Sequence, residues 1–198
     1  MPRKVDYRGR RHQMIDAVCA LADEQGVEGV TMRDVAERAG VSLGAVQRCF
    51  RDKDEMLTLT MARVSENFSA RLRVLTTQPA PAALARVAVD LALLDVDKRP
   101  EARVWLAFVA RAAVTPNMSR ILQEGHRSMV DVLTRLIREI VGATGATVDV
   151  EREARSIFAL ADGLTVQVLL GQIERDEARQ ILTTYVERLY RHERSPGS

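Results

Sequence analysis

Gln47 and Arg48 are adjacent residues whose side chains can bind the edges of DNA bases. A glutamine that faces a groove can hydrogen-bond to adenine, and an arginine can pair with guanine. The sequence does not decide which of the two would read a base. Gly44 and Ala45 come just before them, and such small residues let backbone N–H groups approach a phosphate closely. The chemistry at this point in the chain is therefore that of a nucleic-acid contact.

Two short helices joined by a tight turn are predicted to position these side chains. Thr31 and Asp34 form a capping-box pattern at the start of the first helix. Gly40 suits the left-handed position that ends this helix, and Ser42 is a good N-cap for a second helix from Leu43 to Phe50. A generic helical hairpin is the alternative. The tight turn and the very short second helix favour a helix-turn-helix that presents its second helix to a DNA groove.

Helices on either side of this hairpin complete a module of about 50 residues. The apolar spacing predicts a first helix from Tyr7 to Gln25 that ends at Gly26. Asp52 with Glu55 repeats the capping pattern for the helix that follows. The predicted core of the module consists of Val18, Met32, Val46 and Phe50.

The beginning of the chain carries an excess of positive charge, opposed only by Asp6. A basic arm beside a reading helix can bind phosphates or reach into the minor groove. A solvated tail is the alternative for any such run of charge. The basic residues of the arm are Arg3, Lys4, Arg8, Arg10 and Arg11.

The wording of the hairpin resembles the TetR family of bacterial transcriptional regulators. Residues 31–40 follow the pattern T-x-x-D-V-A-x-x-A-G, and residues 41–57 follow V-S-x-G-x-V-x-x-x-F-x-x-K-x-x-x-L. The match covers roughly residues 8–57. The stretches GAVQ at 44–47 and DKDE at 52–55, with the later EARVWLAF, resemble the branch typified by the betaine-responsive regulator BetI.

This resemblance implies an all-α, TetR-like homodimer with about nine helices per subunit. The expected domains are an arm and helix-turn-helix head over residues 1–52, with the hairpin at about 31–50, and a helical ligand-binding and dimerisation domain over 53–198. A pair of heads predicts a palindromic DNA operator. By resemblance alone, a ligand-responsive repressor is favoured over an activator. The DNA-binding candidates are Arg10, Arg11, Thr31, Arg33, Ser42, Leu43, Gly44, Ala45, Gln47, Arg48, Cys49 and Lys53.

Cys49 departs from the family pattern. Members usually carry an aromatic ring or a His at this position, where it often touches the DNA backbone. A thiol is only a weak hydrogen-bond donor. The substitution predicts that a phosphate contact is weakened or moved elsewhere, and neighbouring Arg48 could take it over.

Candidates for an effector pocket are spread over the rest of the chain, and ordinary core packing is the alternative for each. Trp105 and Phe108 lie one helical turn apart and suit an apolar or cationic ligand. Asp162 interrupts an apolar stripe and could face a cationic ligand, an arginine across a dimer, or solvent. The full set is Met61, Phe68, Leu91, Trp105, Phe108, Val109, Met129, Leu133, Phe158 and Asp162.

The two C-terminal helices carry broad apolar stripes at three- and four-residue steps. Such a pair of helices can form a self-complementary four-helix interface between two subunits. Packing within one subunit is the alternative. The predicted interface residues are Ile157, Ala161, Leu164, Val168, Ile181, Tyr185 and Leu189.

The composition argues against a protein coated with positive charge, a metal site and an enzyme. The net charge is only +2, so DNA affinity must come from a local patch doubled by dimerisation. Cys19 and Cys49 lie far from any His cluster, so neither a metal site nor a cofactor is expected. The three histidines, His12, His126 and His192, form no catalytic arrangement, so an enzyme is not expected.

The sequence contains no signal peptide and no apolar run of about 18 residues, which predicts a bacterial cytoplasmic protein without a membrane partner. A helical interaction module without DNA binding is the remaining alternative. That alternative explains the C-terminal stripes and leaves the hairpin and the basic arm without a role.

Overall fold

A computed structural model describes residues 7–95, 98–144 and 148–191 of the chain, and these residues form nine α-helices and no β-strand. The prediction of an all-α protein with about nine helices is therefore confirmed. The helices are α1 (Tyr7–Gly29), α2 (Met32–Arg38), α3 (Leu43–Cys49), α4 (Lys53–Leu75), α5 (Ala80–Leu91), α6 (Arg99–Ala112), α7 (Pro116–Thr144), α8 (Val150–Leu169) and α9 (Arg175–Arg191).

The chain forms two compact units. The head unit consists of Met1–Glu66 with Arg103–Leu122, and the C-terminal unit consists of Asn67–Ala102 with Gln123–Ser198. Three helices, α4, α6 and α7, therefore contribute residues to both units. The functional boundary expected between residues 52 and 53 stays a prediction.

Side-chain caps fix where α2 and α3 begin. The Thr31 hydroxyl accepts a hydrogen bond from Asp34 N at 3.2 Å, and Thr31 N donates to Asp34 Oδ2 at 3.2 Å. The predicted capping box is therefore present. Ser42 Oγ accepts from Ala45 N at 3.2 Å and caps α3 as predicted. This helix ends at Cys49, one residue earlier than expected, because Phe50 adopts an extended conformation.

Two glycines set the turns of the head unit. Gly26 has φ 76° and ψ 160°, a region essentially reserved for glycine, and it kinks α1 where the sequence predicted an end. Gly40 has φ 63°, the left-handed conformation predicted for the end of α2. There Gly40 N donates to Glu37 O and Val41 N donates to Ala36 O. These two bonds form a Schellman motif, which ends α2 and starts the tight turn.

The head unit has its own hydrophobic core. The predicted core residues Val18, Val46 and Phe50 are fully buried there, and Met32 packs against them half-buried. Phe108 of α6 and Met118 of α7 also lie in this core. The three-helix module is thus completed by helices that come much later in the chain.

The C-terminal unit is built around α5, α7, α8 and α9. In this unit α5 packs against α8 and α9, and α8 packs against α9. Leu133, Ile157 and Leu182 are among its fully buried residues. Asp149 Oδ1 accepts from Arg152 N at 3.1 Å and caps α8. Among the described helices, none has the length and apolar character needed to span a bilayer.

Candidate nucleic-acid interface

Helix α3 presents Gln47 and Arg48 to solvent. Val46 and Phe50 anchor one side of this seven-residue helix in the head core, and both are at most 1% exposed. Gln47 and Arg48 therefore lie on the opposite side and are exposed. A Cβ atom placed on Gly44 would lie 3.5 Å from Arg48 Nη1, so the Arg48 side chain folds back over the start of the helix. A Cβ at that distance would make ordinary van der Waals contact with the guanidinium.

The start of α3 combines packing with exposed polar groups. Leu43 and Ala45 are half-buried and pack against the head core, and Ser42 is exposed. Ser42 occupies Ala45 N through its side chain and its carbonyl. The N–H groups of Leu43 and Gly44 lie in the first turn, where a helix supplies no internal acceptor. N–H groups at such a position are donors from which a phosphate can accept hydrogen bonds.

The remaining DNA-binding candidates lie at or near α2 and α4, and they differ in their exposure and in their hydrogen bonds. Thr31 and Arg33 are exposed, and the Thr31 hydroxyl also donates to Asp34 Oδ2 at 2.7 Å. Lys53 is half-buried, and its Nζ donates to Glu28 O at 2.6 Å. An ammonium group has three donors, so this bond leaves two for a phosphate.

The basic arm is described from its C-terminal part. Arg10 and Arg11 are exposed, and the Arg11 guanidinium carbon lies 5.9 Å from the centre of the Phe50 ring. Arg10 and Arg11 lie in the first turns of α1, so this cation–π contact ties the start of α1 to the end of α3. Arg3 and Lys4 lie outside the described residues, as does the side chain of Arg8.

Cys49 is half-buried, and its side chain packs against the head core. The residue that departs from the family pattern thus serves as a small apolar packing group. The displaced phosphate contact expected from the sequence stays a prediction.

Polar contacts that the sequence analysis missed hold α2 against α1. Arg38 Nη1 donates to Glu24 Oε1 at 2.9 Å and Nη2 donates to Glu24 Oε2 at 2.5 Å. The hydrogen bond with Arg38 lowers the pKa of Glu24 below its ordinary value. Gln13 Nε2 donates to Ala39 O at 2.9 Å and so caps the end of α2. These contacts join distant parts of the sequence, and no local pattern indicates them.

The ten pocket candidates fall into different units. Met61, Phe108 and Leu133 are fully buried, so core packing accounts for their apolar character. His126 contacts the Phe158 ring edge-on, with 4.5 Å between ring centres. Candidates in the head unit are Met61, Trp105, Phe108 and Val109, and those in the C-terminal unit are Phe68, Leu91, Met129, Leu133, Phe158 and Asp162.

The C-terminal unit also contains a cleft of about 190 Å³, and none of the ten candidates lines it. Its polar walls include Asp95 and Thr165. Asp162 also lies on α8; part of the residue is exposed, while burial of its carboxyl group raises the pKa of this group to about 6. Among the described residues, no cluster of side chains could hold a metal ion.

The predicted dimer residues divide between the inside and the outside of the subunit. Tyr185 is half-buried and donates from its hydroxyl to Glu153 Oε2 at 2.9 Å, and Val168 is also half-buried. Ile181 is 40% exposed. The members buried within a single chain are Ile157, Ala161, Leu164 and Leu189.

Comparisons with known proteins agree with this architecture. Residues 14–59 match the family model described as bacterial regulatory proteins of the tetR family. Residues 81–191 match the model described as the C-terminal part of BetI-type transcriptional repressors. The HTH-type transcriptional regulator BetI of Burkholderia thailandensis is 32% identical over 96% of this chain and 97% of its own length.

Two solved structures show the same arrangement of helices. A transcriptional regulator from Rhodococcus sp. RHA1 has a TM-score of 0.80 and 28% identity, covering 90% of this chain and 95% of that one. A regulator from Saccharomonospora viridis, in complex with choline, has a TM-score of 0.82 and 24% identity, covering 91% and 96%. At this level of identity, the second structure supports the fold alone.

The matches cover the head and the C-terminal region together, so the interaction module without DNA binding is not favoured. The family and its relatives are transcriptional regulators and not enzymes. With Gln47 and Arg48 exposed on a capped, seven-residue second helix, this chain belongs to the TetR family as a DNA-binding transcriptional regulator with a BetI-type C-terminal region.

Proposed function

We propose that this regulator is a homodimeric repressor that binds a palindromic operator and releases it when a small organic cation binds. The observation that carries the DNA-binding part is the exposure of Gln47 and Arg48 on a helix whose other side is locked in the head core. The proposed repressor acts in the cytoplasm, where bacterial DNA is found. The proposed dimer, operator and effector rest on separate observations and are tested separately.

The outer face of α8 and α9 supports the proposed dimer. Ala159 and Gly163 are exposed on α8, one turn apart, and Leu170 at its end is 64% exposed. Ile181 of the adjoining α9 is 40% exposed. Because four members of the predicted interface are buried within the subunit, we propose that the partner packs on this outer face and on the exposed Ile181. Exposed apolar side chains on two packed helices are typical of such contacts.

A dimer places two copies of α3 on one DNA molecule. Two-fold symmetric heads bind half-sites about one helical turn apart, so the operator is expected to be an inverted repeat with centres roughly 10 base pairs apart. Gln47 and Arg48 would supply discrimination between bases, whereas Arg10 and Arg11 would bind phosphates. The two groups of residues should therefore respond differently to changes in DNA sequence and in salt.

The proposed effector class comes from two observations. The solved regulator from S. viridis contains choline, a quaternary ammonium compound. In the C-terminal unit the aromatic candidates Phe68 and Phe158 have part of their surface accessible, and the Phe68 ring already attracts a cation, the Arg71 guanidinium, 5.2 Å from its centre. A hundredfold loss of operator affinity requires a coupling free energy of about 2.7 kcal/mol, within the usual allosteric range.

The first experiment selects duplexes from a random-sequence pool with the wild-type protein and then measures affinity for the selected operator by fluorescence anisotropy. We expect a two-fold symmetric site, and we expect choline or glycine betaine to weaken binding about a hundredfold. Trp105 is the only tryptophan, so its fluorescence gives a separate signal for ligand binding near it. A selected site without two-fold symmetry would contradict the dimeric arrangement. Unchanged operator affinity at saturating cation would rule out this effector class.

Variants then separate base reading from phosphate binding. At least one of Gln47→Ala and Arg48→Ala should reduce the ratio of operator to random-DNA affinity. Arg10→Ala is the matched control, and it should weaken binding to both kinds of DNA similarly and flatten the salt dependence. Equal losses on both DNAs for both α3 variants would contradict base reading by this helix.

A further inference from the structure

Arg111 of α6 joins two acidic side chains from distant parts of the head unit. Its Nη1 donates to Glu28 Oε1, and its Nη2 donates to Asp54 Oδ1 at 2.6 Å. The arginine side chain is only 17% exposed, whereas those of Glu28 and Asp54 are 75% and 73% exposed. Its hydrogen bond with Glu28 raises the pKa of Arg111 above its ordinary value, against the opposing effect of burial. The guanidinium is therefore a mostly buried charge whose two partners are exposed.

The two acids mark the ends of the chain segment that contains the reading helices. Glu28 lies in the last turn of α1, after the Gly26 kink, and Asp54 lies in the first turn of α4. Both α2 and α3 fall between them in the sequence. Lys53 Nζ also donates to Glu28 O, so the two ends are close together. A single guanidinium thus spans the base of the helix-turn-helix.

We propose that Arg111 is a positioning residue for DNA reading, because it holds the end of α1 and the start of α4 at a fixed separation and so fixes the orientation of the α2–α3 pair. The proposal depends on the established family and not on the effector or the dimer. It assigns a role in operator binding to a residue of α6 that lies far from the hairpin in the sequence.

Arg111 is mostly buried and its two acidic partners are exposed, and this difference determines which substitution tests the positioning role without unfolding the protein. Removing Arg111 leaves two exposed carboxylates, which water solvates readily. Removing both acids would leave a mostly buried guanidinium without partners, which destabilises a protein much more. Arg111 Nε already lacks a hydrogen-bond partner. Arg111→Met keeps the apolar stem in the core while removing the bridge, so it should preserve folding.

Neutralisation of charge is a second way in which the same contacts could affect DNA binding. Arg111 neutralises Glu28 and Asp54 beside Lys53, a candidate phosphate ligand, and loss of this neutralisation would repel any DNA sequence. A loss of orientation instead weakens the operator complex, in which α3 must fit base edges, and leaves random DNA little affected. The ratio of the two affinities distinguishes these explanations.

The main experiment measures the affinity of Arg111→Met for the operator selected with the wild-type protein and for random DNA. We expect about tenfold weaker operator binding, random-DNA binding within about twofold, and a thermal midpoint within a few degrees of the wild type. Arg111→Lys should restore part of the operator affinity, because one ammonium can reach one of the acids. Unchanged operator affinity, or equal losses on both DNAs, would overturn the proposal.

Arg103→Met is the matched control. Arg103 lies on the same helix and binds Asp23 of α1 through Nε at 2.6 Å and Nη2 at 3.1 Å. Among the described residues its ion pair joins α6 to α1 and not to α4, so its loss removes an ion pair of the same chemistry without opening the base of the helix-turn-helix. We expect operator affinity within about twofold of the wild type. An equal loss for both arginine variants would show that general attachment of α6, and not the bridge, matters.

Asp54→Ala supplies a test that remains valid if Arg111→Met fails to fold, because Asp54 is exposed. Removing an acid next to Lys53 should strengthen DNA binding if only charge matters. The bridge predicts the opposite, a several-fold weaker operator complex. In a double-mutant cycle, Asp54→Ala combined with Arg111→Met should cost less than the sum of the single changes. Stronger operator binding by Asp54→Ala would contradict the positioning role.

Discussion

One hydroxyl group sets the start of the helix that carries Gln47 and Arg48. Ser42 Oγ accepts from Ala45 N, and an alanine at this position would leave that donor without its side-chain partner. We expect Ser42→Ala to lower the free energy of unfolding by about 1 kcal/mol, measured by urea denaturation at fixed protein concentration. Ser42→Gly is the control and should cost only a few tenths of a kcal/mol, because glycine is itself a tolerated N-cap. Equal costs would contradict the capping role.

The stability of the C-terminal unit is expected to depend on pH through Asp162. Desolvation raises its pKa from 3.8 to about 6 in the folded chain, so the folded state holds this proton more tightly than the unfolded state does. Between about pH 4 and pH 6, unfolding releases the proton, and the contribution of Asp162 to the free energy of unfolding falls as pH rises. Above this window the contribution stays at its lower level.

The variant Asp162→Asn should remove this contribution. Relative to the wild type, its free energy of unfolding should improve as pH rises from about 4 to about 6 and then remain level. Urea denaturation at a series of pH values, with protein concentration held constant, measures the difference. A difference between the two proteins that does not change across this window would contradict the raised pKa.

Single residues were predictable where the physics is local. The caps at Thr31 and Ser42 require partners only three residues away, so their pattern is visible in the sequence. Arg111 was missed because its partners lie 83 and 57 residues away. The sequence did offer one indication. Arg111 lies one helical turn after the buried Phe108, and a charged side chain on that face of the helix needs a partner.

At the level of helices and turns, Gly26 and Gly40 should differ in what they tolerate. A Cβ atom on either glycine meets nothing within 4 Å, so any cost of substitution comes from the backbone. Gly40 lies in the left-handed region, which asparagine also adopts, whereas the φ and ψ of Gly26 suit glycine alone.

We therefore expect Gly40→Asn to cost well under 1 kcal/mol and Gly40→Ala about 1 kcal/mol. Gly26→Asn and Gly26→Ala should each cost about 1–3 kcal/mol. Chemical denaturation of the four variants at one protein concentration provides the comparison. An asparagine tolerated equally at both sites would contradict the distinct conformation of Gly26.

The ends of α1, α2 and α3 were predicted to within a few residues, because caps and glycines act on their neighbours. The division into packing units was not predicted, since it depends on contacts between distant residues. Val104, Phe108 and Met118 belong to the core of the head unit although they follow the hairpin by more than 50 positions. An apolar stripe shows that a helix face is buried without showing which element covers it.

At the scale of the whole molecule, the same limit explains the interface candidates. Ile157, Ala161 and Leu164 form the strongest stripe of α8 and are used to pack the subunit itself. The outer face, with Ala159 and Gly163, is only weakly apolar, so the sequence pattern does not indicate an interface there. Its proposed role depends on a second copy of the chain, which a single-chain pattern does not encode.

Gly163 and Gly125 provide a matched pair for the proposed dimer. Both lie inside long helices, and a Cβ on either meets nothing within 4 Å of the same chain. In a helix interior, alanine is more stable than glycine by roughly 0.5–1 kcal/mol. We expect Gly125→Ala to stabilise the protein by this amount without affecting dimerisation. Gly163→Ala should raise the dimer dissociation constant about tenfold, because its methyl group would enter the contact between subunits.

Gly163→Arg extends the test, because it places a long charged side chain on the same face while leaving the subunit core untouched. Sedimentation equilibrium should then show a predominantly monomeric protein with its helical content retained. Operator affinity should fall by several orders of magnitude, since a monomer engages one half-site and loses the effective concentration that joins the two heads. If this variant stays dimeric with the wild-type dissociation constant, the subunits must meet on another face, and the operator symmetry would have to be explained from there.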